Sequence, residues 1–205
     1  MALKVSERIK CSGFPCTDVS HDCYIVPGID IKPENVSLVM VSEAAPPLPA
    51  DYYYVGGDSL FEKTTVQAFQ DAGARVSSIR DVLGQGVYLT TAVKCGKTGY
   101  SIETRTIKNC SLLLEKELAL FPSVKVLMLM GDVAIKAVND IAKRAGEPRV
   151  IPAGSTYKIR GQEYRFRRAR VFPSYLQAGP SFFIEKSKRK MIAEDIAAAL
   201  GLVYN

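Results

Sequence analysis

Four near-continuous apolar segments constrain the fold of this chain more than any other feature of its sequence. They are VSLVMVS (36–42), GVYLTTAV (86–93), VKVLMLM (124–130) and RARVFPS (168–174). Such segments are typical of strands that are covered on both faces, as in parallel sheets. Helical patterns alternate with them, over residues 58–73, 102–121, 132–146 and 187–200. The alternation predicts an α/β fold, a three-layer α/β/α sandwich around a central, mainly parallel, four-stranded sheet.

The length of 205 residues predicts a single domain over residues 1–205, with one sizeable core. An N-terminal cysteine arm, residues 8–28, precedes the first apolar segment. One stretch departs from the alternation of strands and helices. TYKIRGQEYRFRR alternates polar and apolar residues around Arg160 and Gly161, which predicts an inserted β-hairpin at about residues 155–168.

The first residues, MALKVSERIKC, have neither the apolar segment nor the cleavage site of a secretory signal. The longest apolar segments are too short to span a bilayer. We therefore expect a cytoplasmic protein that does not enter a membrane, and we expect it to be a monomer.

Basic residues are concentrated in the C-terminal third of the chain. The net charge is +6, and RGQEYRFRRAR (160–170) alone contains five arginines, while EKSKRK (185–190) contains four basic residues. This distribution suits an acidic polymer as partner. The alternative is a solvated face that keeps the protein soluble.

Loops at the carboxyl ends of parallel strands form the ligand site in sheets of this kind. That rule directs attention to the loops after residues 42, 93, 130 and 174. The first of these loops is EAAPPLPADYYYVGG (43–57), which is rich in proline and then in tyrosine.

The chain has five cysteines: Cys11, Cys16, Cys23, Cys95 and Cys110. The odd number and the lack of a secretory signal argue against a disulfide framework. Four thiolates suit an iron–sulfur cluster or zinc, although neither the spacing of CSGFPC nor the long loop between Cys95 and Cys110 is that of a tight zinc knuckle. Unligated cysteines in an apolar core are the alternative.

Several motifs occur in an order that is specific to one family. They are VMVSEAAP (39–46), YYVGG (53–57), VYLTTAVKC (87–95), VKVLMLMGDVAIKAV (124–138), RVFPSY (170–175) and AEDI (193–196). With them the chain resembles the iron–sulfur branch, often called family 4, of the uracil-DNA glycosylase superfamily, over roughly residues 8–200. The resemblance implies DNA repair by base excision. Such a hydrolase binds DNA, flips a damaged base into a pocket and cleaves its N-glycosidic bond with water.

The resemblance also implies a structural [4Fe–4S] cluster held by Cys11, Cys16, Cys95 and Cys110. The family more commonly spaces its first pair as C-x2-C, so Cys23 is an alternative to Cys16. Zinc is the alternative metal.

For the substrate site, the resemblance implies that Glu43 lies near the attacking water. Tyr54 aligns with a phenylalanine that stacks on the flipped base, and Thr91 with an asparagine that binds the base edge. Ala44, the next residue of the first motif, is counted with the base-binding residues. Threonine departs from the family pattern, because its single hydroxyl cannot replace the donor–acceptor pair of an amide.

The second motif departs further from the family, which has Tyr-His-Pro-Ser where this chain has SYLQAGPSF (174–182). The histidine, which stabilises the departing base, is replaced by Leu176 if Tyr175 sets the alignment. It is replaced by Gly179 if Pro180 and Ser181 set it. Gln177 or the backbone near Gly179 would then compensate in part. His21, in the cysteine arm, is the only histidine of the chain.

The DNA contacts are predicted on the basic hairpin and on the start of the last helix. These residues are Arg165, Arg167, Arg168, Lys186, Lys188 and Arg189. The family inserts the loop after its second motif into the duplex, which makes Phe182 or Phe183 the wedge, with core packing as the alternative.

Three hypotheses follow. The first is a DNA glycosylase-like enzyme with altered or weakened activity on uracil or a related deaminated base. The second is a catalytically silent iron–sulfur protein of the same fold that binds nucleic acid. The third is a zinc-stabilised α/β protein that acts on a nucleotide or another small ligand.

Overall fold

The structure is a computed structural model that describes residues 2–204. The strands in this range are β1 (Leu3–Lys4), β2 (Val19–Ser20), β3 (Asp30–Ile31), β4 (Leu38–Ala45), β5 (Val87–Lys97), β6 (Val126–Met130), β7 (Tyr164–Phe166) and β8 (Ala169–Ser174). The α-helices are α1 (Val5–Arg8), α2 (Leu60–Asp71), α3 (Ile79–Gly84), α4 (Thr104–Leu118), α5 (Asp132–Arg144), α6 (Thr156–Ile159), α7 (Ser181–Ile184) and α8 (Lys186–Tyr204).

The central sheet has the strand order β2-β5-β4-β6-β8-β7. Its four inner strands are the predicted ones, and they run parallel, which confirms the predicted α/β fold. The prediction of only four strands is wrong, because β2 and β7 extend the sheet as antiparallel edge strands. These edge strands have two and three residues, too few for a periodic pattern to reveal.

The hairpin near residues 155–168 differs from its prediction. Residues Thr156–Ile159 form one helical turn, and the antiparallel pair is β7 with β8. The turn therefore lies at Arg167 and Arg168 rather than at Arg160 and Gly161. Ile159 of the helical turn is buried in the core, and Arg167, with φ of 54°, lies where the chain reverses.

Helices cover both faces of the sheet and bury two separate apolar cores. One core contains Val39 and Val41 of β4 with the apolar residues of α4 and α5. The other contains Leu38 and Met40 with those of α2, α3 and α8. Alternate residues of one strand thus enter opposite cores, as the period of a strand requires.

The long helices agree with the sequence patterns, and the short helix α3 is an addition to them. It begins with a capping box, in which Ser78 and Asp81 each bond the other's backbone. Gly131 is the N-cap of α5. Among the helices of residues 2–204, none has the length and apolar character needed to cross a membrane.

Strands β4 and β6 are neighbours, but the chain leaves them toward opposite faces of the sheet. After β4 it continues to α2, and after β6 to α5, and these helices belong to different cores. Such a switch point opens a crevice at the carboxyl ends of the strands, which is where α/β sheets bind ligands.

Candidate functional site

Glu43 lies at this switch point. A Cβ atom on Gly131 would lie 2.6 Å from Glu43 Oε1, so the carboxylate packs directly on the residue that caps α5. Gly131 also has φ of 95°, which favours glycine. The N-terminus of a helix favours a negative charge, so α5 suits the Glu43 carboxylate.

Lys97, at the end of β5, is the other partner of Glu43. Its Nζ lies 3.5 Å from Glu43 Oε2, and 17% of the Glu43 side chain is exposed. Because the carboxylate is accessible to solvent and held between Lys97 and α5, it is placed to bind a water molecule.

A second polar group occupies the opposite face of β4, around the Gln177 side chain. Ser42 Oγ lies 2.5 Å from the hydroxyl of Tyr53 and 3.2 Å from Gln177 Oε1. Gln177 Nε2 lies 3.2 Å from the Tyr53 hydroxyl and 3.5 Å from Thr65 Oγ1. All four side chains are fully buried. We call these residues the Gln177 ring.

Thr91 stands beside the Gln177 ring. It is the register partner of Ser42 on the adjacent strand, so the two side chains project from the same face of the sheet. Thr91 is completely buried, and its Oγ1 has no hydrogen-bond partner among the described residues. Buried hydroxyls usually have a partner, so this atom calls for an explanation.

Tyr54 is anchored to the free edge of β5. Its hydroxyl accepts a hydrogen bond from Leu89 N at 2.8 Å and donates one to Leu89 O at 3.1 Å. Its half-buried ring lines a cavity of about 330 Å³ together with Tyr53 and Arg80. Tyr54 also packs against the core that contains Leu89, the residue two positions before Thr91.

Comparison with protein families gives the decisive result. Residues 33–197 match the model of a family described as "Uracil DNA glycosylase superfamily". This chain belongs to the uracil DNA glycosylase superfamily.

A comparison with solved structures matched the crystal structure of wild-type UNG from Nitratifractor salsuginis. The TM-score is 0.40 and the identity 14%, over 80% of this chain and 74% of the other. A sequence comparison with curated proteins found no match.

The loop after β8, where the sequence predicts the second motif, turns inward. Leu176 is half-buried, Gln177 and Gly179 are buried, and Ser181 is exposed at the start of α7. Gly179 has φ of 114°, which glycine tolerates best. Of the loop residues named from the sequence, Gln177 alone joins the buried polar network.

The wedge candidates differ in exposure. Phe182 is only 2% exposed and belongs to the core, whereas Phe183 and Ile184 are exposed. Of the two phenylalanines, Phe183 therefore remains the candidate wedge, with Ile184 beside it.

The basic residues predicted to bind DNA do not form one surface. Arg165, Arg167 and Arg168 lie on the β7–β8 hairpin, at the end of the sheet opposite to Glu43 and Gln177. Lys186, Lys188 and Arg189 begin α8, directly after the second-motif loop. Only the second set lies next to the candidate site.

Several of these cations already have acidic partners. Arg189 forms a two-pronged ion pair with Asp71, and Lys188 Nζ lies 2.7 Å from Glu185 Oε1. Arg167 pairs with Glu147 at 3.0 Å. Arg189 therefore joins α8 to α2, whereas Lys186, at the start of α8, is exposed.

Four cysteines share one neighbourhood. Cys16, Cys95 and Cys110 are buried in one apolar core, and Cys11 packs against it. Burial, together with the charges of neighbouring cysteines, raises the pKa of Cys95 to about 12 and that of Cys110 to about 11. Within residues 2–204, however, no three His, Cys, Asp or Glu side chains are grouped closely enough to hold one metal ion.

Cys23 is placed differently. Its thiol donates a hydrogen bond to Pro47 O at 3.1 Å, and a Cβ on Gly96 would lie 2.5 Å from Cys23 Cβ. Cys16 instead has its sulfur 3.8 Å from the side-chain amide of Asn109, next to Cys110. Cys16 thus lies beside α4, near Cys110, whereas Cys23 lies beside Gly96, the residue after Cys95.

Sequence reasoning missed two buried polar residues, Tyr53 and Asp195. The hydroxyl of Tyr53, rather than that of Tyr54, belongs to the Gln177 ring. Three consecutive tyrosines give no sequence pattern from which their different positions could be predicted. Asp195 is buried, accepts a hydrogen bond from Ser174 at 2.5 Å and pairs with Arg160 at 2.8 Å. Burial raises the pKa of Asp195, although the bonds from Arg160 and Ser174 oppose that shift.

Proposed function

We propose that this protein is a DNA glycosylase-like enzyme that hydrolyses the N-glycosidic bond of a flipped, deaminated base with weakened activity. The observation that carries the proposal is the Glu43 carboxylate at the switch point of a uracil DNA glycosylase fold, held by Gly131 and Lys97. Family membership supports the class of reaction. The base would lie on the opposite face of β4, against the ring of Tyr54 and near Thr91, whereas Ala44 packs in the core of α4 and α5.

The reaction needs one water molecule. Its oxygen would bond C1′ of the deoxyribose while the bond from C1′ to the base nitrogen breaks, and the base would leave with the bonding electrons. Glu43 would accept the proton of the water, as a general base does. No histidine stabilises the departing base, since His21 lies in the N-terminal arm against Phe14. Loss of such a group costs about a hundredfold to a thousandfold in rate.

The test is single-turnover cleavage of DNA that contains uracil, hypoxanthine or xanthine. Glu43→Gln keeps the shape of the side chain and removes the base, so we expect cleavage to fall roughly a hundredfold or more. Glu163→Gln, at an exposed position, is the matched control and should cleave at the wild-type rate. Equal rates for wild type and Glu43→Gln would refute the role of Glu43.

A catalytically silent nucleic-acid-binding protein is the second candidate function. The complete engagement of Gln177 by Tyr53, Ser42 and Thr65 favours it, because this network fills the region next to Thr91. Binding of DNA without cleavage of any of the three substrates would select this candidate.

We also propose that Cys11, Cys16, Cys95 and Cys110 hold a [4Fe–4S] cluster, as in the iron–sulfur branch of the superfamily. Support comes from the shared neighbourhood of four thiols from three segments of the chain. Such a cluster would link the N-terminal arm, the end of β5 and helix α4. Zinc is the alternative occupant.

The cysteine proposal is tested by iron, acid-labile sulfide and zinc analysis of anaerobically purified protein. Cys110→Ser should lose iron and sulfide together, and Cys23→Ser is the matched control that should retain them. Zinc without sulfide in the wild type would select the alternative, and retention of iron by Cys110→Ser would contradict the ligand set.

A further inference from the structure

The hydrogen bonds of the Gln177 ring form a closed cycle. The Tyr53 hydroxyl donates to Ser42 Oγ, the Ser42 hydroxyl donates to Gln177 Oε1, and Gln177 Nε2 donates back to the Tyr53 oxygen. Each hydroxyl both donates and accepts, and the amide uses its oxygen and one N–H. The carboxamide oxygen of Gln177 thus accepts a hydrogen bond from Ser42 of β4, and its N–H donates one to Tyr53 of the loop that follows β4.

The cycle excludes water. Ser42, Tyr53, Thr65 and Gln177 are fully buried, and burial raises the pKa of the Tyr53 phenol, although the bonds with Ser42 and Gln177 oppose that shift. The phenol therefore remains protonated and available as a donor at neutral pH. Because the ring is buried, a ligand that leaves any of its groups unpaired binds at a cost.

Thr91 supplies a second, independent observation. Its fully buried Oγ1 lacks a partner and projects from the same face as Ser42, its register partner. The Gln177 amide has already used its oxygen and its Nε2 on other residues. The Thr91 hydroxyl is therefore an additional hydrogen-bonding group beside the Gln177 ring, and the Gln177 side chain does not bond it.

The chemistry of the amide indicates the ligand. A primary carboxamide presents a C=O and an N–H side by side, and the lactam edge of uracil, hypoxanthine or xanthine presents the same pair. Cytosine and adenine present an amino group and an unprotonated ring nitrogen instead. A site complementary to the Gln177 amide is therefore complementary to deaminated bases.

We propose that Ser42, Tyr53, Thr65 and Thr91 form a recognition site for the lactam edge of a flipped base, and that Gln177 occupies this site in the free protein. This inference rests on the proposed function for the base to be presented from DNA. Gln177 lies on the loop after β8, so it can withdraw when that loop moves. The entering base then makes the hydrogen bonds that the Gln177 amide made. Because the base is larger than the amide, it also contacts Thr91.

The first experiment measures binding of free uracil to wild type and to Gln177→Ala by calorimetry or NMR. Removal of the amide frees the site, so apparent uracil affinity should rise about tenfold or more, because the wild type must first open. 1,3-Dimethyluracil, which has no N–H beside a carbonyl, should bind neither protein. Gln162→Ala, at an exposed glutamine, is the matched control and should behave as wild type.

Two results would overturn the inference. One is a folded Gln177→Ala protein, shown by near-ultraviolet circular dichroism, that binds uracil no better than wild type. The other is equal binding of uracil and 1,3-dimethyluracil by that variant.

A second measurement uses the wild-type protein and does not depend on folding of the variant. The side-chain amide protons of Gln177 are followed by NMR on addition of DNA that carries a non-hydrolysable 2′-fluorodeoxyuridine. Faster exchange of these protons with solvent supports displacement of Gln177. Unchanged exchange in the saturated complex overturns it.

The outcomes separate this inference from the proposed function. Uracil binding by Gln177→Ala without cleavage of any substrate would keep the recognition site and refute hydrolysis. Cleavage by wild type, with no gain of uracil binding in Gln177→Ala, would keep the glycosylase and refute the occupation of its site by Gln177.

Discussion

At the scale of single residues, one carboxylate stabilises the end of a helix. Asp18, in the N-terminal arm, accepts a hydrogen bond from Glu103 N at 2.7 Å and another from the Thr106 hydroxyl. Its carboxylate therefore caps α4, the helix that carries Cys110, although Glu103 makes no side-chain cap. Burial opposes ionisation of Asp18, but the bonds from Thr106 and Glu103 prevail, and the pKa is lowered from 3.8.

Asp18→Asn should lower the free energy of unfolding at pH 7 by about 1 kcal/mol, because a charged cap at the positive end of a helix is weakened. Since the folded-state pKa is lowered, the contribution is present above the ordinary pKa of 3.8 and is lost as the pH falls through the folded value. Urea unfolding at several pH values measures it, with Asp22→Asn at an exposed position as control. A stability difference that persists undiminished in strong acid would contradict this assignment.

At the scale of elements, the contact between β5 and α4 contains a fully buried ion pair. Lys94 Nζ bonds Glu117 Oε2, Thr90 Oγ1 and the Thr91 carbonyl, and Glu117 Oε1 accepts from the Tyr88 hydroxyl at 2.7 Å. Neither charged side chain is exposed. The strand that holds Cys95 and the helix that holds Cys110 are therefore joined by charges as well as by apolar packing.

Lys94→Met should lower the free energy of unfolding by about 3–5 kcal/mol, because it leaves the Glu117 charge buried without its partner. The double variant Lys94→Met/Glu117→Leu removes both charges and should recover most of this loss. Urea unfolding measures both variants. Lys125→Met, at an exposed lysine, is the control and should change stability by no more than about 0.5 kcal/mol. A double variant as unstable as the single one would show that the pair itself stabilises the fold.

At the scale of the whole molecule, the two ends of the sheet differ in chemistry. Exposed apolar side chains are found beyond the carboxyl ends of the parallel strands, in loops (Leu48, Val55 and Tyr100) and in the short helix α7 (Phe183 and Ile184). Glu43, the Gln177 ring and Lys186 lie at the same end. The opposite end has the hairpin arginines around a cavity of about 220 Å³ that Phe121 and Pro122 also line. DNA bound at the carboxyl end would contact Lys186 and not this hairpin.

DNA binding should therefore respond differently to substitutions at the two ends. Lys186→Ala should make the slope of log K for DNA binding against log salt concentration less steep by about 0.9, the amount expected for one lost phosphate contact. Arg165→Ala should leave this slope unchanged. Fluorescence anisotropy of labelled duplex over a salt series measures both variants. A larger change for Arg165→Ala would place the DNA on the hairpin end.

The sequence by itself determined the central architecture. Long apolar segments reveal strands that are buried on both faces, so the four parallel strands and the long helices between them were predictable. The motifs were sufficient to predict the superfamily and the loop that carries Gln177. The edge strands β2 and β7 were not predictable, because two or three residues have no period.

Only the tertiary structure decided which polar side chains meet. Ser42 and Gln177 are 135 positions apart, and their bond depends on how β4 and the loop after β8 approach each other. Tyr53 and Tyr54 are neighbours of the same type, yet Tyr53 joins the Gln177 ring and Tyr54 joins the edge of β5. The hairpin arginines, close in sequence to the second motif, lie at the far end of the sheet. A local pattern records the face of a strand or helix on which a residue lies, but contacts between distant segments depend on the packing of the whole chain.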